Sequence, residues 1–360
     1  MKTYDVIVVG AGPAGLGAAI QAGQAGASVL LLDENDRPGG QLFKQIHKFF
    51  GSREHCAGTR GYDIGLRLLR QAEEAGVETA LGHRVWGIFP DGSVTAATET
   101  ESVRCRGRFL VLATGASENA LSFPGCTLPG VMTAGAAQTF ANIHHVLPGR
   151  DIVMIGSGNV GLIVTYQLLQ AGANVKAILE AAPRISGYAV HAGKVRRAGV
   201  PILLGHTVTR AIGEETLAEI EIAQVDEHFR PVPGTEQTIS CDTLCLAVGL
   251  SPRLELAQAA GCRMVWSGPL GGLLPVHSPE LETSAEHILV AGDLAGIEEA
   301  STALDEGRLA GLRAAFRLGL LEAGDYEDRS AVIRQRLDCL RQGPFGEGRR
   351  RAKEEVWSHV

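Results

Sequence analysis

The stretch that decides the fold lies at the N-terminus: Tyr4-Asp5-Val6-Ile7-Val8-Val9-Gly10-Ala11-Gly12-Pro13-Ala14-Gly15 (YDVIVVGAGPAG). Tyr4 to Val9 is a β-branched, apolar run of the kind that forms a buried strand. It opens directly onto G-x-G-x-x-G, and the small residues behind it predict a helix to about Gly26. A second strand, Ser28 to Leu32, runs into the acids Asp33 and Glu34. Strand, glycine turn, helix, strand and terminal acid together are the signature of a dinucleotide-binding βαβ unit. In such a unit Gly10 permits the sharp turn, Gly12 lets the backbone approach a pyrophosphate, and Gly15 lets the helix pack on the strand. Pro13 and Ala14 open the helix, whose unpaired N–H groups and positive end attract phosphate. Asp33 stands where an adenosine ribose would be bound.

The same unit recurs. Asp151 to Ile155 reads as a strand, Gly156-Ser157-Gly158-Asn159-Val160-Gly161 as the turn, and the helix runs to about Ala171. Asn174 to Leu179 is the next strand, closed by Glu180. Two such units imply two dinucleotides, and a flavin beside a nicotinamide is the natural pairing. Glu180 would repel a 2′-phosphate, which favours NAD(H) over NADP(H); Arg184 nearby pulls the other way. The fingerprint reads only the ADP half, so ADP or ATP as a fixed ligand remains an alternative at the second site.

Three further strands end in short signatures: Phe109 to Leu112 before Ala113-Thr114-Gly115, Thr243 to Val248 before Gly249, and His287 to Ala291 before Gly292-Asp293. The 360 residues carry 46 glycines, 45% hydrophobic and 20% charged residues and a formal charge of -7, an ordinary globular balance for about two domains. Without a basic stripe, nucleic acid is excluded as a partner. No stretch is long and apolar enough for an integral membrane span. The start resembles a signal peptide in hydropathy, but Asp5 and the glycines assign it to the first strand. Seven scattered cysteines with no CxxC predict free thiols and a cytoplasmic setting. His47, His55 and Cys56 do not match zinc spacing, so no metal site is expected. No acid–base pair or nucleophile arrangement identifies a catalytic side chain.

In order, GAGPAG, PGGQ (Pro38 to Gln41), ATG, GSGNVG and VAGD resemble the two-dinucleotide-fold flavoproteins related to thioredoxin reductase, over about residues 1–320. The resemblance implies an α/β fold of two Rossmann-like domains. An NAD(H) domain, 122–245, would be inserted in a discontinuous FAD domain, 1–121 with 246–325, leaving 326–360 as a tail. It implies FAD at the first fingerprint, with contacts at Gly39, Gly40, Gln41 and Asp293. The helix holding Gly307 to Gly311 would aim its N-terminus at the flavin pyrimidine ring.

Thioredoxin reductases follow ATG with G-V-x-x-C-x-x-C. Here Pro129-Gly130-Val131-Met132-Thr133-Ala134-Gly135-Ala136-Ala137-Gln138 puts alanine at both cysteine positions, so thiol exchange is unavailable. Thr127 to Phe140 followed by Leu147 to Gly161 is similar to the FAD/NAD-binding subunits of multisubunit amine-oxidising dehydrogenases: opine oxidase, hydrogen cyanide synthase, dye-linked proline and hydroxyproline dehydrogenases, and sarcosine oxidase α. That resemblance implies an FAD-dependent oxidoreductase that carries electrons between flavin, nucleotide and an iron–sulfur or flavin relay. It also implies a second flavoprotein subunit that oxidises the C–N bond, with electrons leaving through a partner protein rather than a dithiol. After Asp325 only Cys339 occurs, so an iron–sulfur centre would sit on a separate small protein. The rivals are a stand-alone NADH-dependent reductase and a structural subunit holding ADP or ATP. The basic, aromatic segment Leu42 to His55 is expected either to cover the flavin or meet a partner, or to pack locally. The tail is expected as a solvated surface segment or a docking element.

Overall fold

The computed structural model describes residues 1–360 and divides into two units, residues 1–117 with 250–360 and residues 118–249. In the first unit the chain runs β1 (Lys2–Val9), α1 (Pro13–Gln24), β2 (Val29–Leu32), α2 (Gly61–Glu74) and β3 (Glu78–Ala80). A hairpin, β4 (Arg84–Ile88) and β5 (Ser93–Ala97), leads into the long β6 (Ser102–Leu112). β6 serves two sheets' worth of neighbours: Val6 and Val9 of β1 pair in parallel with its Phe109 and Leu112, while Ser93 to Ala97 pair antiparallel with its first residues. β7 (Ala116–Glu118) then leads into the second unit.

That unit holds β8 (Val131–Thr133), α3 (Ala134–Asn142), β9 (Asp151–Ile155), α4 (Asn159–Gln170), β10 (Asn174–Glu180), α5 (Ala189–Arg197) and β11 (Ile202–Leu204). An antiparallel sheet of β12 (His206–Ile212), β13 (Glu219–Gln224) and β14 (Gln237–Ser240) precedes β15 (Thr243–Leu246). The chain returns through β16 (Leu250–Pro252), α6 (Glu255–Ala259), β17 (Met264–Ser267), β18 (Gly272–Pro275), β19 (Ile288–Val290), α7 (Ala300–Arg317), α8 (Ala323–Leu340) and α9 (Gly343–Trp357).

Each unit is built on one parallel layout. The first orders β3-β2-β1-β6 with β19 beside β6; the second orders β11-β10-β9-β15-β8. Val6, Ile7 and Val8, and Ile152, Val153 and Met154, are fully buried, as expected of parallel strands covered on both faces. The boundaries fall a few residues from those read in the sequence, because β7 and β16 pair with each other and mark the crossing. Residues 326–360 are not a solvated tail. Arg336, Arg341, Arg349 and Lys353 of α8 and α9 reach Asp305, Glu298, Glu299 and Glu306, while Ala352 and Val356 pack on Leu270 and Leu274. The sequence reading missed this because the triple arginine Arg349-Arg350-Arg351 looks like a surface run.

Helix α7 lies on α1 with backbone against backbone. A Cβ at Gly307 would stand 1.8 Å from the Ala14 carbonyl oxygen, and one at Gly311 2.2 Å from that of Ala18. Neither carbonyl can rotate away without breaking α1. Gly307→Ala is therefore expected to lower stability by about 2–3 kcal/mol, at the upper end of the usual cost of overpacking, read as a lower denaturant midpoint.

Candidate functional site

The two glycine turns have one geometry. Gly10 and Gly156 both have positive φ (+107° and +98°), and a Cβ on either would lie 2.3 and 2.2 Å from the carbonyl oxygens of Ala113 and Ala247. Gly15 and Gly161 are closed by the carbonyl oxygens of Gly10 and Gly156, at 1.7 and 2.1 Å. The middle glycines differ in the informative way: at Gly12 and Gly158 a Cβ meets nothing closer than 4.0 and 3.9 Å. Outer glycines are demanded by the fold, whereas the middle ones leave room for something else. Each middle glycine is also the N-cap of its helix, α1 or α4, and neither helix has a side-chain cap. Unpaired N–H groups there present an anion site.

In the first unit this turn opens on a cavity of about 800 Å³ at the carboxyl ends of β1, β6 and β19, where ligands bind in open parallel sheets. Gly10, Gly12, Pro13 and Ala14 form one wall, and Asp33 and Glu34 the next. Gly40 and Gln41 face them; a Cβ on Gly40 would lie 2.9 Å from the Gly12 Cα. Ala113, Thr114 and Gly115 line the strand end, and Gly292 and Asp293 close the floor. Gly15 is packed inside the βαβ unit, and Gly249 lies in the second unit, where its carbonyl accepts from the Asn119 N–H.

The acids are spoken for in different ways. Asp33 is buried and accepts from the Ala11 N–H at 2.5 Å and from the Asn35 N–H at 2.7 Å, tying the β2 end to the turn. Glu34 is held by Arg253 at 2.8 Å and Arg84 at 3.2 Å, and Arg253 keeps its carboxyl below the usual range. Those two arginines, with Trp86 and Glu298, also line the cavity and were not singled out in the sequence; Gln45 and Phe49, of the segment Leu42 to His55, line it too. For Arg253 a signal existed: it directly follows Ser251-Pro252, the end of β16, where the chain re-enters the first unit. Burial pushes the Asp293 carboxyl up to about 7, helped by Glu306, Glu298 and Glu299 and opposed by the Glu298 N–H. His55 is tied down, its Nε2 2.8 Å from Asp305 and its Nδ1 3.0 Å from Ser52. Within the segment Leu42 to His55, Phe49 lines the cavity while His55 packs locally.

In the second unit Glu180 repeats the role of Asp33. It accepts from the N–H and hydroxyl of Ser157 and from the Ala182 N–H. Asn159 accepts from the Tyr188 N–H, and Val160 is exposed on the first turn of α4. Ahead of α3, Thr133 accepts from the Ala136 N–H, and Glu118 accepts from the Gly135 N–H at 2.7 Å. Ala134 and Ala137 are both fully buried. The positions that carry thiols in thioredoxin reductases are therefore neither reactive nor accessible here, and a carboxylate sits at the head of that helix.

No group of three or more potential metal ligands occurs, all seven cysteines are unpaired, and no helix is long and apolar enough to cross a membrane. The donor set suits a dinucleotide: an open middle glycine, free helix N–H groups and an acid beyond the second strand. The chain fits FAD by that test in the first unit, and a second nucleotide in the other.

Comparison with known proteins agrees with this architecture. The opine oxidase A-type subunit of Rhizobium meliloti (strain 1021) is 33% identical, covering 95% of this chain and 79% of its own length. Across the opine oxidase subunits of this type that match, the chain spans 64–79% of their length. Hydrogen cyanide synthase subunit HcnB of Pseudomonas aeruginosa is 29% identical over 93% of this chain and 76% of its own. Among solved structures, thioredoxin reductase from T. acidophilum superposes with a TM-score of 0.72 at 20% identity, covering 88% of this chain and 99% of that one; this likeness is one of fold. The pyridine nucleotide-disulphide oxidoreductase model matches residues 4–307. With two dinucleotide turns of one geometry and a match along most of its length, the chain is an oxidoreductase and belongs to the pyridine nucleotide-disulphide oxidoreductase family.

Proposed function

We propose that this chain is the electron-transfer subunit of a heteromeric amino-acid or amine dehydrogenase, with FAD in the first cavity and NAD(H) at the second glycine turn. Family membership implies FAD and a nicotinamide nucleotide, and the relatives named above are themselves subunits. The observation that carries the reading is the head of α3, where buried alanines and Glu118 replace a dithiol. Electrons then pass through partner proteins rather than a dithiol: a second flavoprotein subunit and a small iron–sulfur protein. The unpaired thiols support a reducing, cytoplasmic setting.

When bound, the two cofactors supply hydride exchange between nicotinamide and flavin. This chain's residues bind and orient them. In the first unit, Gly12 and the head of α1 receive the pyrophosphate, Asp33 and Glu34 stand at the ribose side, and Ala113 to Gly115 with Gly292 and Asp293 line the far end. In the second unit, Gly158, Asn159 and Val160 open the phosphate site. Glu180 is fixed by Ser157 and Ala182, and its charge disfavours a 2′-phosphate.

An anaerobic titration of the purified, flavin-loaded chain tests the second site. NADH is expected to bleach the flavin absorbance, with NADPH binding about tenfold more weakly, the worth of one unfavourable charge contact of about 1.4 kcal/mol. Detectable nucleotide binding without bleaching would remove NADH as electron donor and make the partner flavoprotein the source.

Paired substitutions test the first. Gly12→Ala has room in the fold, so it should keep its unfolding midpoint and lose at least about tenfold in FAD affinity, because the methyl enters the phosphate's space. Gly10→Ala, against the Ala113 carbonyl, should instead lose stability itself. Equal effects of the two on folding and binding would argue against this cavity.

Asp293 gives a pH signature. With its folded pKa raised to about 7, the flavin-free chain keeps a proton that the unfolded chain has already released, so stability falls as pH rises from about 4 through 7. Asp293→Asn should match wild type in acid and exceed it near pH 8, measured by urea unfolding of the flavin-free forms. A parallel pH dependence in both proteins would refute the assignment.

A further inference from the structure

The floor of the first cavity is the segment from Gly292 to Ala303, and it is gripped from behind by the last two helices. Lys353 of α9, with its side chain fully buried, donates to the Ala295 carbonyl at 3.0 Å and to Glu306 at 2.6 Å. The other oxygen of Glu306 accepts from the Gly292 N–H at 3.0 Å. One ammonium therefore holds both ends of the turn Gly292–Ala295, directly at its end and through Glu306 at its start. Arg341, at the end of α8, forks onto Glu298 at 2.6 to 3.1 Å and reaches Glu306 at 2.6 Å. Gly292, Asp293 and Glu298 all line the cavity.

Anchoring the C-terminus does not require this. Ala352 and Val356 already pack α9 against Leu270 and Leu274, and burying a lysine costs several kcal/mol that an apolar side chain would not incur. What the two cations add is charge balance and position: two carboxylates are neutralised beside Asp293, directly beneath the cavity. Burial works against ionisation of Glu306, yet Lys353 and Arg341 hold its carboxyl below the usual range.

We propose that Lys353 and Arg341 are positioning residues for the flavin, fixing the Gly292–Ala295 turn against it and setting the charge on that side of the cofactor. The inference rests on the assignment of FAD to the first cavity. Removing Lys353 leaves an uncompensated carboxylate behind the turn, which loosens the floor and disfavours the negatively charged reduced flavin.

The test uses the full-length, flavin-loaded protein and three variants: Lys353→Met, Lys353→Gln and, as a control on the exposed face of α9, Arg350→Ala, whose ion-pair partner Glu354 lies on the same helix. FAD dissociation, the flavin midpoint potential by dye-linked reduction, and thermal unfolding are measured on each. Lys353→Met should weaken FAD binding by about tenfold or more, the usual scale for stranding a buried charge, and move the potential to more negative values. Lys353→Gln keeps a donor for Ala295 without the charge, so it should shift the potential in the same direction even if the methionine variant does not fold. Arg350→Ala should change neither. Lysine variants that only unfold earlier, with wild-type FAD affinity and potential, would overturn the proposal and reduce α9 to an anchor. A wild-type chain that takes up no FAD would overturn the assignment beneath it instead.

Discussion

The constraint on which the first unit depends is the approach of the Gly10 Cα to the Ala113 carbonyl, so close that a Cβ would sit 2.3 Å from the oxygen. It brings the β1 end against the end of β6, where the strand order changes direction and a crevice opens. Once β1 turns there, α1 must start beside its own strand, and Gly15 is pressed on the Gly10 carbonyl. Helix α7 then packs backbone to backbone on α1 through Gly307 and Gly311, which brings the Gly292–Ala295 turn to the cavity. A single side-chain atom at position 10 would propagate along this whole series. The second unit repeats the first two contacts, Gly156 on Ala247 and Gly161 on Gly156, and so builds a second turn of the same shape.

On that steric frame the polar residues hold rather than react. Asp33 ties the β2 end to the Ala11 N–H, and Glu180 does the same with Ser157. In both units the acid fixes the turn from behind, so the helix N–H groups are presented in place before any ligand arrives. Such preorganisation reduces the ordering cost of binding. At the other end of the cavity, the floor is held by ion pairs whose cations come from the last two helices of the chain. The first cavity is thus assembled from the first strand, the segment after β19 and the final helices.

Much of this was readable in the sequence, for a local reason. A glycine that must have positive φ, or that must touch a carbonyl, leaves the same trace wherever the fold occurs, so GAGPAG, GSGNVG, ATG and VAGD announce the turns and strand ends without tertiary knowledge. Charges leave no such trace. Arg341 and Lys353 look like members of a solvated basic stretch, because their partners Glu298 and Glu306 lie some forty residues away in sequence. A faint signal was present: Ala352 and Val356 stand one helical turn apart, and Pro344 opens the helix. Glu118 is a lone acid at the end of a three-residue strand, and only the packing of α3 gives it a meaning.

That carboxylate bears on the route of the electrons. The head of a helix favours an anion and would lower the pKa of a thiol placed there. Here the anion is Glu118, bonded to the Gly135 N–H, while Ala134 and Ala137 are sealed from solvent. A Cβ at position 135 would come 2.4 Å from the Glu118 carboxylate, so the glycine and the acid are fitted to each other. Four buried thiols do not replace the pair either. Burial pushes Cys241 and Cys245 up to about 12 and raises Cys105 and Cys262, which leaves them protonated and poor nucleophiles at neutral pH. The molecule carries two dinucleotide turns, and the head of α3 is a structural cap. With no dithiol at the head of α3, transfer to a centre on another protein is the exit that the proposed role requires.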